Sequence, residues 1–177
     1  MAFPERLRTE RLVLHRWAAP AHTAALITLN AQPDAVRFLN AGVPFSPAES
    51  ERQSARFAEH WSTFGFGLWA IEAEGRIVGF TGVCHPRWFP AYAHEVEAAW
   101  RLDPSAWGHG YATEAGRAAL EAAFSHLELA HVSAFIDEGN DASVAVARRL
   151  GLSLDHLVAD PEGTGTLMVY RTRAPQG

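Results

Sequence analysis

The chain reads as an α+β domain built around one mixed sheet. Two observations predict this. The first half holds strand-like runs joined by a tight Glu74-Gly75 turn, and the second half alternates strand, helix, strand, helix. A length of 177 residues suits one compact domain, 1–177, with a sizeable core and a loose tail at 173–177.

Taken in order, "ERLVLHRW" alternates through Leu12, Leu14 and Arg16 and predicts a first strand. "PAHTAALITLNAQ" and "PDAVRFLN" predict two short helices, each opened by proline or an early polar residue. In "SPAESERQSARFAEHWSTF", Ser46 is a candidate N-cap, Pro47 takes the first helical position and Glu49 stands three residues after the cap. "FGLWAIEAEGRIVGFTGVC" predicts the hairpin, and "HPRWFPAYA" is an aromatic, proline-rich loop. "HEVEAAWRLD" predicts a strand with Val96, Ala98, Trp100 and Leu102 on one face and Glu95, Glu97, Ala99 and Arg101 on the other.

After "DPSAWGHGYATEAGRAAL" comes a helix that buries the stripe Leu120, Ala123, Phe124 and Leu127. "HVSAFID" is a further strand, and "NDASVAVARRLG" is a helix that starts at Asn140 and stops at Gly151. Ser153–Val158 and Thr166–Arg171 close the sheet as strands.

Composition excludes several functions. Net charge is −5, which argues against general nucleic-acid binding. No apolar run is long enough for a membrane span, and "MAFPERLRTE" lacks the apolar core of a secretory signal, so a cytoplasmic protein is expected. One cysteine, Cys84, supports neither a disulfide framework nor a thiolate metal cluster. The nine histidines show no metal-ligand spacing, and no metal is expected. All fifteen basic residues are arginine. Coding bias would account for that absence of lysine; whatever its cause, it removes a Walker A lysine and a Schiff-base lysine from consideration.

Gly108 and Gly110 flank a histidine just before a helix. A tight turn is one explanation. The other is an anion site, in which a bare backbone aims N–H groups at a phosphate beside the helix N-terminus and no lysine is needed. Thr113 stands where a dinucleotide fingerprint has a small residue, and about a hundred residues precede the motif, so a nicotinamide enzyme is disfavoured. The chain contains no G-x-S-x-G elbow.

"VEAAWRLDPSAWGHGYATEA" resembles the acetyl-CoA motif of the GNAT superfamily of N-acetyltransferases, in its ribosomal-protein-alanine (RimJ/RimL-like) branch. "LRTERLVLHRW" is similar to that branch's opening strand, and "HVSAFIDEGNDASVAVARRLGL" to its strand followed by the N-x-x-S helix. The resemblance implies a mostly antiparallel sheet of six to seven strands with helices on both faces and a splayed central strand pair.

The resemblance also implies acetyl-CoA as co-substrate and a primary amine as acceptor, either a protein N-terminus or a small cationic amine. On that reading, the main chain of Trp100, Arg101 and Leu102 pairs with the pantetheine arm. Trp107, Gly108, His109, Gly110, Tyr111, Ala112 and Thr113 hold the pyrophosphate. Asn140 contacts pantetheine, and Ser143 lies near the thioester sulfur.

The chain departs from the family at Ser105, Ala147 and Glu97-Ala98-Ala99-Trp100, where the family carries Gln or Arg, a tyrosine acid and Glu-Ile-Gly-Tyr. Glu97 is the candidate base, against the alternative that it merely pairs with Arg101 or solvent. His85 and His94 are alternative bases. Trp88, Phe89 and Tyr92 are read as anchors of their loop. A non-catalytic acyl-CoA-binding module is the alternative function, and a homodimer is compatible with the sequence.

Overall fold

The computed structural model describes residues 2–163 and 165–173. Eight strands form one sheet in the order β1-β2-β3-β4-β5-β6-β8-β7. The strands are β1 (Arg6–Arg8), β2 (Leu12–Arg16), β3 (Leu68–Ala73), β4 (Arg76–Cys84), β5 (Glu97–Leu102), β6 (His131–Asp137), β7 (Ser153–Ala159) and β8 (Thr166–Arg173). Every neighbouring pair is antiparallel except β5 and β6.

The expected six to seven strands become eight because of β1. Its three residues pair Leu7 with Leu14, yet only Leu7 is even partly buried. Backbone pairing at an exposed edge leaves little trace in hydrophobic alternation. The hairpin between β3 and β4 turns at Glu74 (φ 51°) and Gly75 (φ 76°), both left-handed, as a two-residue loop requires. Of the expected tail, Arg173 closes β8, and 174–177 lie outside the described residues.

Three helices precede the hairpin: α1 (Thr23–Asn30), α2 (Pro33–Val36) and α3 (Pro47–Phe64). α2 is one turn, shorter than "PDAVRFLN" suggests, because the chain bends through left-handed Asn40 and Ala41 soon afterwards. α3 opens on a complete capping box: Ser46 Oγ accepts from the Glu49 N–H, and Glu49 accepts from the Ser46 N–H at 2.7 Å.

α4 (Tyr111–His126) and α5 (Asp141–Arg149) follow β5 and β6. α1 and α3 pack together, and α1 lies on β4, where Phe57 of α3 and Trp17 meet Phe80. α4 packs on β4 and β5 and touches α5, where Gly116 leaves room for Leu150. The sheet is therefore sandwiched between α1/α3 and α4/α5, which leaves β5 with two differently furnished faces. Among the described residues no helix is long and apolar enough to cross a membrane.

Candidate active site

The site is organised by a parting of strands. β5 and β6 are held in register only at Glu97↔Ser133, with the Ser133 N–H bonded to the Val96 carbonyl at 3.0 Å. Beyond that point they diverge. Backbone groups alternate sides along a strand, so Ala98, Trp100 and Leu102 turn their N–H and C=O the same way as Val96, into the gap. The Asp103 N–H confirms the phase by bonding to Val78 O at 2.8 Å on the opposite edge.

Of the three residues expected along the gap, Trp100 and Leu102 therefore present main chain to it, whereas the main chain of Arg101 faces β4. The Leu102 carbonyl is already taken by Trp107 Nε1 at 2.8 Å.

At the open end of the gap stands the glycine loop. Gly108 and Gly110 have φ of 78° and 79°, which L side chains rarely adopt. A Cβ at Gly108 would meet nothing within 4 Å, so conformation rather than crowding within the protein demands glycine there. Gly110 is the N-cap of α4 and offers no side chain to cap it. The first helical amide bond is from Glu114 N–H to Gly110 O at 3.0 Å. The N–H groups of Tyr111, Ala112 and Thr113 thus point out of the helix end, as an anion site needs. His109 is exposed and its ring stacks on Tyr111, while Trp107 is half exposed.

Side chains distant in sequence fix this loop. Arg11, in the turn between β1 and β2, grips Glu114 through Nε (2.7 Å), Nη2 (2.6 Å) and its own N–H (2.9 Å). Its Nη1 donates to the His109 carbonyl at 2.8 Å, and Thr9 Oγ1 donates to Glu114 at 2.6 Å. Burial pushes the Glu114 carboxyl up, but the Thr9 hydroxyl and the Arg11 donors outweigh it and hold it below the ordinary range. Sequence reasoning missed this clamp because its members lie about a hundred positions apart.

At the closed end lies Glu97, 9% exposed. Burial pushes its carboxyl up to about 7, against a smaller opposing pull from Trp88 Nε1, which donates to Oε2 at 3.0 Å. Glu97 does not pair with Arg101. Arg101 instead donates to Asn30 Oδ1 at 2.5 Å and lies over the Phe80 ring.

Phe89 and Tyr92 anchor their loop on Phe135, as the sequence suggests. Trp88 does more, since it also reaches the carboxylate. The two alternative bases differ in setting. His85 Nδ1 donates to the Glu95 carbonyl at 2.7 Å, and His94 is exposed. His60 is buried, donating to Phe66 O and accepting from the His85 N–H.

Asn140 caps α5 by accepting from the Ser143 N–H at 3.2 Å. The Ser143 hydroxyl sits in the first turn, partly exposed, with no bond to its own helix.

The sequence pattern of the acetyltransferase (GNAT) domain matches residues 11–153. Among curated proteins, the FsC-acetyl coenzyme A-N(2)-transacetylase of Aspergillus fumigatus is 30% identical over 139 residues, 75% of this chain and 58% of that protein. The uncharacterized protein YkkB of Bacillus subtilis is 30% identical over 115 residues, 61% of this chain and 65% of that protein. The chain thus spans about three-fifths of the length of these relatives.

An acetyltransferase structure from Agrobacterium tumefaciens str. C58 superposes with a TM-score of 0.80 at 33% identity, covering 98% of this chain and 96% of that one. The RimL ribosomal L7/L12 alpha-N-protein acetyltransferase superposes with a TM-score of 0.76 at 19% identity, covering 98% of each chain, a likeness of fold alone. With the domain pattern spanning most of its length, the chain belongs to the acetyltransferase (GNAT) domain family.

Proposed function

We propose that the protein transfers an acetyl group from acetyl-CoA to a primary amine, in a complex that holds both substrates at once. The observation that carries this reading is the buried Glu97 carboxyl at the apex of the strand gap, with a proton affinity matched to neutral pH. The name of the A. fumigatus relative, an acetyl coenzyme A transacetylase, supports the same donor. The resemblance to the RimJ/RimL-like branch brings protein N-termini within the acceptor range, beside small cationic amines.

In this reading the outward N–H groups of residues 108–113 take the pyrophosphate, the main chain of Trp100 and Leu102 lines the pantetheine path, and Asn140 flanks it. Acetyl-CoA supplies the activated thioester. Glu97, directly or through a water, accepts one proton from the acceptor's ammonium group, which frees the nitrogen lone pair for attack on the thioester carbonyl carbon. A gap-facing N–H of β5 near its Glu97 end stabilises the oxyanion that forms. The carbon–sulfur bond then breaks, and Ser143 donates a hydrogen bond to the departing thiolate. The second nitrogen proton passes to that thiolate as the intermediate collapses, so the products are an N-acetylated amine and CoA thiol, with the first proton left on Glu97.

Thiol release from acetyl-CoA across a panel of primary amines tests this. Release that depends on the amine supports transfer. CoA binding without release for any amine would favour a non-catalytic acyl-CoA-binding module. Ser143→Ala should slow release less than Glu97→Gln, because water can replace a hydroxyl donor in an open cleft.

A further inference from the structure

Arg101 is a charge in an unusual place. It projects from the same face of β5 as Glu97, toward α1 and α3 and away from α4. Its guanidinium packs over Phe80, and Nη1 donates to Asn30 Oδ1, itself fully buried and held by donating to Ser50 Oγ (3.1 Å) and Gln53 Oε1 (2.9 Å). Among the described residues, no carboxylate lies within ion-pair distance of it. Burial alone lowers its proton affinity, to about 10, so it stays charged at neutral pH.

A partly buried cation normally finds a carboxylate, as Arg171 does with Glu95 and Asp155. Arg101 has neutral partners only. Among the described residues its Nε and Nη2 find no hydrogen-bond partner, and no buried side-chain nitrogen or oxygen lacks one. Those two atoms are therefore not fully sealed from solvent. Together they make the edge of a guanidinium that binds a carboxylate through two parallel bonds.

We propose that the Nε/Nη2 edge of Arg101 binds a carboxylate of the acceptor, so that the acceptor is a small amino acid whose reactive amine lies several carbons from its carboxylate. The spacing follows from β5. Four residues of strand place the Cα atoms of Glu97 and Arg101 about 13 Å apart on one face. Trp88 holds the carboxylate head and Asn30 the guanidinium head, so neither is free to swing fully toward the other. An ammonium near Glu97 and a carboxylate on Arg101 would each meet a side chain of opposite charge. The proposal rests on the acetyl-transfer reading for the amine's place beside Glu97, but the anion site stands on Arg101 alone.

The experiment titrates 6-aminohexanoate and its carboxamide, 6-aminohexanamide, into CoA-saturated protein by calorimetry, with thiol release from acetyl-CoA measured in parallel. Wild type should bind the carboxylate about tenfold more tightly than the carboxamide. Arg101→Gln should abolish that preference while leaving CoA affinity unchanged. Arg101→Lys, which keeps the charge and loses the fork, should retain part of it and serves if the Gln variant folds poorly. Equal binding of the two ligands by wild type, no binding of either, or a preference that survives both variants would overturn the proposal. So would a fall in CoA affinity on changing Arg101, which would assign the guanidinium to the cofactor. A carboxylate preference without thiol release would sink acetyl transfer and leave the anion site standing. Thiol release without the preference would do the reverse.

Discussion

The two ends of the β5 gap deal with charge in opposite ways. At the open end, residues 108–113 offer main-chain N–H groups from an exposed loop with left-handed glycines, and the nearest charged side chains, Arg11 and Glu114, are spent on each other. At the closed end, a single side chain, Glu97, is buried with one donor upon it and a raised proton affinity. The first arrangement suits a fixed polyanion that need only be held. The second suits a group that must gain and lose a proton. Holding and reacting should therefore be separable by mutation.

The largest expected effect is at the closed end. Removing a positioned base costs on the order of 10²–10⁴ in rate. Glu97→Gln should lower kcat/KM by that order and erase the rise in rate expected of wild type as pH climbs through about 7. Stability supplies an independent check with a definite sign. The folded carboxyl titrates near 7 and the unfolded one near 4.5, so the wild-type contribution is full below 4.5 and is lost as pH rises through 7. The stability of Glu97→Gln relative to wild type should accordingly grow by about 2–3 kcal/mol between pH 5 and pH 8. A gap that stays constant in chemical denaturation would place Glu97 in a solvated setting.

A smaller effect is expected where the clamp supports the open end. Glu114→Gln keeps the shape but weakens the charge-assisted bonds to Arg11. CoA affinity should fall about three- to tenfold, with a stability loss of about 1 kcal/mol. Unchanged affinity would mean that the loop needs no external support.

The smallest effect sharpens the closed end alone. Trp88→Phe removes the donor that partly offsets burial at Glu97, so the carboxyl should move further up. Its rate should fall more at pH 6.5 than at pH 8.5. An equal loss at both would make Trp88 a packing residue only.

The contrast between the two ends also explains what is legible in the sequence. Left-handed backbone leaves its mark on residue identity, so the two glycines at 108 and 110 mark the loop by their identity alone. Period-two alternation likewise puts Glu97 and Arg101 on one face of a strand. Contacts made through tertiary folding leave no such mark. Arg11 meets Glu114 across 103 positions, and Asn30 meets Arg101 across 71. Trp88 is nine residues from Glu97, yet only the fold of its loop turns the indole inward. Strand β1 escapes for a related reason, because its pairing is backbone-made at an exposed edge.

Calorimetric titration of CoA into wild type, Gly110→Val and Glu97→Gln tests the division of labour most directly. Valine resists the left-handed backbone that Gly110 adopts, so the outward N–H groups should lose their alignment. At about 1.5–3 kcal/mol for a hydrogen bond to a charged group, affinity should fall roughly ten- to a hundredfold. Glu97→Gln should bind CoA within about twofold of wild type, since its carboxyl is assigned to the proton and not to the anion. A folded Gly110→Val protein that binds CoA like wild type, or a Glu97→Gln protein that loses as much affinity as Gly110→Val, would contradict this division.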